Sequence, residues 1–73
     1  MIKLNVKELM EKNNMSKYKL HTLIGMSYQN FSKMIDNKTK SIKYETIDAL
    51  CTIFDCTPNE LFVFEPDKLQ NEK

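Results

Sequence analysis

The single glycine of this 73-residue chain, Gly25, is the feature that most constrains its fold. A short segment with helically spaced apolar residues lies on each side of it. Glycine adopts a positive φ without the steric penalty of a Cβ atom, so it suits a tight corner between two helices. Ser16 and Ser27 precede the two segments, where a serine oxygen accepts hydrogen bonds from the free N–H groups of a helix start. The sequence therefore predicts helices at about 17–24 and 28–35.

Each of these two predicted helices has an apolar face and a polar face. The apolar residues recur at intervals of three and four, which is typical of a stripe buried in a core. They are Leu20, Leu23, Ile24, Met26, Phe31, Met34 and Ile35. The polar side chains of the second helix can bond base edges and phosphates, and they are Tyr28, Gln29, Asn30, Ser32 and Lys33. Two short helices meeting at a sharp turn, with a polar outer face on the second, are typical of a DNA-reading helix-turn-helix.

Length and composition predict one soluble domain. Hydrophobic residues make up 41% of the chain and charged residues 29%, as in ordinary globular proteins. No apolar run approaches the ~20 residues of a membrane-spanning helix, and the N-terminus lacks the apolar core of a signal peptide. We therefore expect a cytoplasmic protein.

Three further helices complete a predicted all-α, compact five-helix bundle. The first begins with Asn5 as N-cap and Glu8 three residues later, the pattern of a capping box. It ends at residues 13–14, two asparagines that tolerate a left-handed turn. The fourth spans roughly residues 44–54.

The fifth predicted helix is short and has a strong start signal. Thr57 is its expected N-cap, Pro58 its first helical residue and Glu60 its third. It ends at residue 61 or 62, and residues 63–64 either continue it or leave in an extended form.

The two ends of the chain are expected to be less regular. Residues 1–4 are predicted to form a short extended arm, and no segment of any length has the alternation of a strand. The helix-turn-helix domain is expected to cover residues 1–66. Residues 67–73 are expected to be a disordered polar tail.

The chain contains two cysteines, Cys51 and Cys56. Five residues apart, they are expected to face different sides of a helix and its exit, and no third or fourth metal ligand accompanies them. The pattern favours two reduced core thiols over metal or redox chemistry. We expect no cofactor and no metal site.

The net charge of +1 conceals an uneven distribution. Residues 1–43 carry nine lysines and three carboxylates, a net charge of +6, whereas residues 44–73 carry two lysines and seven carboxylates, a net charge of −5. The basic part contains the predicted helix-turn-helix, and a positive surface there attracts phosphates. A lysine-rich surface that is merely solvated is the alternative interpretation.

A longer pattern joins these features. Gly25 and its flanking serines are followed by Lys38, Ile42, Thr46-Ile47, Leu50, Phe54-Asp55-Cys56-Thr57-Pro58 and Leu61. Over residues 5–62 the chain resembles the lambda-repressor-like, Cro-type helix-turn-helix family, especially its small single-domain bacterial and phage members. The resemblance implies a second helix lying across the DNA backbone and a third in the major groove. It also implies a transcription regulator, in particular a repressor, that binds two-fold DNA sites as a homodimer.

Three residues depart from the pattern of that family. Lys17 stands where many members have a glutamine that contacts a phosphate. His21 stands where the family usually has alanine, whose small size lets the second and third helices approach closely. Asn37 replaces a common glycine after the third helix.

The start of the predicted third helix holds the candidates for base contact. The amides of Gln29 and Asn30 can bond adenine N6 and N7. Lys33 lies one turn further on and can meet guanine O6 and N7 or a phosphate. Tyr28 can lie against a thymine methyl group and sugar, or bond a phosphate.

The candidates for phosphate contact flank that helix or lie beside its start. They are Lys17, Lys19, Ser27, Ser32, Lys38 and Lys40. Such contacts position a protein on DNA without reading its sequence. All 11 basic residues are lysines, so bidentate guanine recognition by arginine is not available.

The sequence also bears on two functions other than DNA binding, an enzyme and a protein-interaction module. The sole histidine, His21, is expected to be packed or to snorkel to solvent, because no nucleophile and orienting acid accompany it; an enzyme is not predicted. The alternative function is a protein-interaction module such as an antitoxin, antirepressor or adaptor. The apolar residues Phe62, Val63 and Phe64 exceed what a small core can hold, which makes them the candidate homodimer surface.

Overall fold

The computed structural model describes residues 1–66, which form five helices and one two-stranded sheet. In chain order the elements are β1 (Ile2–Leu4), α1 (Val6–Lys12), α2 (Lys17–Ile24), α3 (Tyr28–Ile35), α4 (Tyr44–Phe54), α5 (Pro58–Leu61) and β2 (Phe62–Phe64). The predicted five-helix bundle is confirmed. The predicted tail, residues 67–73, lies outside the described residues.

All five helices contribute to one hydrophobic core. Ten buried apolar residues form it, and one residue of each helix is fully excluded from solvent: Val6, Leu20, Phe31, Leu50 and Leu61. Met34 and Ile35 of α3 are also buried in this core. The prediction that Leu23 is buried is wrong, because its side chain is 53% exposed on the outer side of α2.

The turn between α2 and α3 forms as the sequence predicts. The Ser16 hydroxyl accepts a hydrogen bond from the Lys19 N–H at 3.1 Å, and the Ser27 hydroxyl accepts one from the Asn30 N–H at 3.2 Å. Gly25 ends α2 in the left-handed conformation, with a φ of 83°, and its N–H donates to the His21 carbonyl at 3.0 Å. Two capped helices therefore meet at one residue that can adopt this φ without strain.

The other predicted helix starts are partly confirmed. At α5 the Thr57 N–H donates to the Glu60 carboxylate at 3.0 Å, as expected for a capping pair. At α1 the N-cap is Asn5, but its side chain makes no capping hydrogen bond. Its backbone N–H donates instead to the carbonyl of Leu61 at 2.8 Å. The capping box predicted from Asn5 and Glu8 is wrong, because Asn5 continues the pairing of the two ends of the chain.

The sheet is the element that the sequence did not predict. β1 and β2 pair in antiparallel register, with Ile2 opposite Phe64, Lys3 opposite Val63 and Leu4 opposite Phe62. Each strand has three residues, too few to show a period of two. The expected extended arm is thus one strand of a sheet, and of the two alternatives for residues 63–64 the extended one is correct.

Asn37 ties this sheet to the end of α3. Its amide nitrogen donates to the Leu4 carbonyl at 3.2 Å, and its amide oxygen accepts from the Leu4 N–H at 2.7 Å. Asn37 has a φ of 61°, a conformation that asparagine adopts more readily than most residues. One side chain therefore satisfies both backbone groups of Leu4 on the outer edge of β1.

The two cysteines lie together at the end of α4, so the prediction that they face different sides is wrong. Asp55 ends the helix with a φ of 52°, and this left-handed turn lets the Cys56 N–H donate to the Cys51 carbonyl at 2.9 Å. Residues paired in this way at a helix C-terminus place their side chains in contact. Burial raises the pKa of the Cys56 thiol, and the Cys51 thiol beside it raises that pKa further. Both thiols are free and half-buried.

Replacing Gly25 tests the turn. Apart from its two chain neighbours, no residue of the described range 1–66 has an atom within 4 Å of the point where a Cβ atom would sit, so the cost of a side chain is set by the backbone conformation. We expect Gly25→Val to lower the free energy of unfolding by about 1–2 kcal/mol, measured by urea denaturation. Gly25→Asn is the matched control and is expected to cost less, because asparagine tolerates positive φ. A valine variant as stable as the wild type would contradict this turn.

Candidate nucleic-acid interface

The polar side of α3 is open to solvent along its length. Phe31, Met34 and Ile35 turn inward to the core. The four residues predicted to contact bases, Tyr28, Gln29, Asn30 and Lys33, are all exposed. Within residues 1–66 only the Tyr28 ring is partly covered, by His21, Phe31 and Lys17. The rest of this surface is accessible to a ligand.

The side chains predicted to contact phosphates surround this surface. Five of the six are exposed and Ser32 is half-buried; the exposed ones are Lys17, Lys19, Ser27, Lys38 and Lys40. The Ser27 hydroxyl accepts a hydrogen bond from the start of α3, which leaves its own hydrogen available for donation. The same serine can therefore cap the helix and bond a phosphate oxygen.

Asp36, directly after α3, shows that several of the lysines are neighbours. The Lys7 ammonium lies 2.7 Å from its carboxylate, and this hydrogen bond is the main reason that the pKa of Asp36 is lowered. The positive charges of Lys17 and Lys38 lower the same pKa further. Lys17 at the start of α2 and Lys38 after α3 are thus both close enough to this carboxylate for their charges to lower its pKa.

Four rings form an aromatic cluster between α2 and α3: Tyr18, His21, Tyr28 and Phe31. The His21 and Tyr28 rings meet edge to face, with centroids 5.2 Å apart and planes at 85°. Lys17 places its ammonium 5.7 Å from the centre of the Tyr28 ring. His21 is packed, as predicted, and its buried Nδ1 atom meets no hydrogen-bond partner within residues 1–66. The cluster was not predicted, although the sequence contains two aromatic pairs at a spacing of three, Tyr18–His21 and Tyr28–Phe31.

The other two tyrosines are largely exposed. Tyr18 is 72% exposed and Tyr44 is 90% exposed. Tyr44 begins α4 with its ring in solvent. Tyr18 contacts only the ring of His21 among the aromatic residues.

Two other features are absent from residues 1–66. No group of three or more His, Cys, Asp or Glu side chains in that range is placed to hold a metal ion. None of the five helices in it is long and apolar enough to span a lipid bilayer.

Two capped helices meet at a left-handed glycine, and the polar side of the second helix is exposed. This arrangement defines a helix-turn-helix DNA-binding domain. Sequence comparison gives the family: residues 5–67 match the Cro/C1-type HTH DNA-binding domain, and the chain belongs to that family. The resemblance noted from the sequence is confirmed. The chain therefore carries a DNA-binding domain of the HTH class, and this family, as predicted, is not one of enzymes.

One similar protein is YozG of Bacillus subtilis (strain 168), described as an uncharacterized HTH-type transcriptional regulator. The two sequences are 27% identical over 65 residues, which cover 89% of this chain and 77% of YozG.

The ion pair of Asp36 predicts a pH-dependent contribution to stability. Because the pKa of Asp36 is lowered from 3.8 by folding, its contribution is present above pH 3.8 and is lost as the pH falls through the folded pKa. We expect Asp36→Asn to be less stable than the wild type at pH 7, and the difference to shrink in acid. Urea denaturation between pH 7 and pH 2.5 measures it. A difference that does not change with pH would contradict the assignment, and Lys7→Met should show the same trend.

Proposed function

We propose that this chain is a sequence-specific double-stranded DNA-binding transcription regulator that reads the major groove with α3 and acts as a repressor in the cytoplasm. The domain over residues 1–66 would bind an operator and exclude other proteins from it. The observation that carries the proposal is the exposed polar side of α3, with the Lys17 ammonium beside Tyr28 at the start of the helix and the exposed Lys38 directly beyond its end. In that arrangement, side chains that can contact bases lie next to side chains that can bind the phosphates of the DNA backbone.

The proposed base contacts follow from the chemistry of the exposed side chains. The amides of Gln29 and Asn30 lie in the first turn of α3, the part of a recognition helix that reaches base edges. Each can donate to adenine N7 and accept from adenine N6. Lys33 lies one turn further on and would bond guanine O6 and N7, while Tyr28 would lie against a thymine methyl group.

The proposed phosphate contacts supply affinity. Lysine ammonium groups and serine hydroxyls bond phosphate oxygens without regard to sequence. The six side chains assigned to this role are Lys17, Lys19, Ser27, Ser32, Lys38 and Lys40. About six contacts release enough counterions to make binding fall steeply with added salt.

Two substitutions distinguish the proposed base contacts from the proposed phosphate contacts. Gln29→Ala is expected to relax sequence preference at one base pair by about 1–3 kcal/mol, whereas Lys38→Ala should weaken binding to all duplexes alike and lower the salt dependence. Selection from a random duplex pool, followed by titration at two salt concentrations, measures both effects. Lys12→Ala, which removes a lysine of α1 assigned to no contact, is the control and should change neither.

The same titrations test the alternative function, a protein-interaction module such as an antitoxin, antirepressor or adaptor. If the wild type binds no duplex at low salt, or if Lys38→Ala and Lys33→Ala leave binding unchanged, the DNA-reading proposal fails in favour of that module. Equal losses on every sequence for Gln29→Ala and Lys38→Ala would contradict the division of roles.

We further propose that the chain acts as a homodimer joined through β2. The outer edge of β1 is closed at Leu4 by the Asn37 side chain, and the Phe62 N–H donates to the carbonyl of Pro58. In the alternation of an antiparallel pair, the Phe64 N–H and the Phe62 carbonyl point away from β1. They meet no partner within residues 1–66, so β2 offers the open edge.

The exposed side chains of the sheet support the same surface. Ile2 and Phe64 are cross-strand partners on the face that also carries Leu4 and Phe62, which pack on the core. They extend past the core and are 69% and 66% exposed. A two-stranded sheet alone is marginally stable. Pairing two β2 strands about a two-fold axis at Val63 would give four strands and would place Phe64 directly beside Phe62 of the second copy.

Phe64→Glu tests the dimer. A charge at this position would have to be buried in the joined sheet, so we expect dissociation into monomers. Analytical ultracentrifugation at tens of micromolar measures it. Tyr44→Glu is the matched control, since it places the same charge on an exposed aromatic residue away from β2. A wild-type monomer, or a dimer unaffected by Phe64→Glu, removes this surface from the proposal.

A further inference from the structure

We propose that His21 is a positioning residue that holds the Tyr28 ring on the DNA-facing surface, so that Tyr28 discriminates a T·A base pair. The proposal rests on the proposed function, because it assigns a reading role within that interface. It adds a residue of α2 that would determine specificity without touching DNA.

Tyr28 is held on several sides but is not buried. The edge-to-face contact with His21 has centroids 5.2 Å apart, and the Phe31 ring lies at 6.4 Å. The Lys17 ammonium sits 5.7 Å from the ring centre. The side chain remains 47% exposed. About half of its surface is thus free to meet a ligand while neighbouring groups restrict the orientation of its ring.

His21 is itself anchored to the core. Its ring lies 6.1 Å from that of Phe31, which is fully buried, and 5.9 Å from that of Tyr18. A continuous chain of ring contacts therefore runs from the core through His21 to Tyr28. Restricting the rotamers of a contacting side chain before binding removes part of the entropy that binding would otherwise cost.

The imidazole of His21 is less favourable for stability at this position than an apolar ring would be. Its buried Nδ1 atom has no hydrogen-bond partner among the described residues, and an unpaired buried polar atom costs stability that an apolar ring would not. The contact with Tyr28, by contrast, needs only a ring. His21→Phe is therefore expected to keep the orientation of Tyr28 and to stabilise the domain, whereas His21→Ala removes the ring and frees Tyr28.

The free surface of Tyr28 points to a particular base. Tyr28 is the first residue of α3, and the N-terminal residues of a recognition helix meet base edges in the major groove. An aromatic face is apolar, and thymine alone presents a methyl group in that groove. A fixed ring would meet this methyl group at one position of the site.

The test compares base preference among variants of the full chain. Random-pool selection with wild type and Tyr28→Ala first locates the T·A pair that depends on Tyr28. The preference for that pair over the other three is then measured by titration. We expect Tyr28→Ala and His21→Ala each to lower it about fivefold or more, and His21→Phe to retain it. The double variant should lose no more than either single one.

Two controls separate positioning from a general loss of stability. Leu23→Ala truncates an exposed apolar side chain of the same helix and should leave the preference unchanged. His21→Leu fills the space without a ring, so it carries the test if His21→Ala does not fold. An equal loss on all duplexes for the ring-deleted variants, a loss that His21→Phe does not restore, or no position dependent on Tyr28 would overturn the proposal.

A measurement without DNA makes the outcome independent of the proposed function. Because the His21 and Phe31 rings lie against it, we expect ring-current shifts to place the Tyr28 ring resonances of the free protein away from random-coil values. These resonances should move toward those values in His21→Ala and not in His21→Phe. Unchanged resonances in His21→Ala would overturn the positioning role even if DNA is bound. Absence of wild-type DNA binding with the expected resonances would instead overturn the proposed function.

Discussion

The left-handed turn at Gly25 is the constraint on which the rest of the structure depends. It ends α2 at a φ of 83° and lets α3 begin three residues later, at Tyr28, with its own serine cap. The angle between the two helices sends Phe31 into the core and leaves the amides of Gln29 and Asn30 outside. The same turn brings His21 against Tyr28. A helix that continued through residue 25 would separate these groups.

The strand before α1 and the strand after α5 pair with each other and are attached to this helix pair. β1 pairs with β2, and Asn37 bonds both backbone groups of Leu4, so the sheet is attached directly to the end of α3. Lys7 and Asp36 make a second link between α1 and the same point. The open edge proposed for dimer formation and the helix proposed to read DNA are therefore parts of one connected structure. In a two-fold dimer, such a connection would set the spacing between the two reading helices.

Prediction from the sequence succeeded where the signal is local. The bounds of α2, α3 and α4 follow from serine caps, apolar spacing and left-handed residues, all of which act within one turn of helix. The errors concern contacts between distant segments. Leu23 fits the spacing of the buried stripe, yet no neighbouring helix covers it, and Asn5 has the type of an N-cap, yet pairs with Leu61. The prediction that the two cysteines face different sides was wrong because one left-handed residue, Asp55, reverses the chain between them.

The sequence by itself determined the helices, the turn at Gly25, the polar outer side of α3 and the excess of lysine around it. These depend on backbone preferences and on periodicity, which each segment carries alone. Only the tertiary structure decided that the chain ends form a sheet, that Lys7, Lys17 and Lys38 gather near Asp36, and that His21 packs on Tyr28. The physical reason is that such contacts join residues far apart in the chain. Their partners are selected by how the helices pack, which no local pattern records.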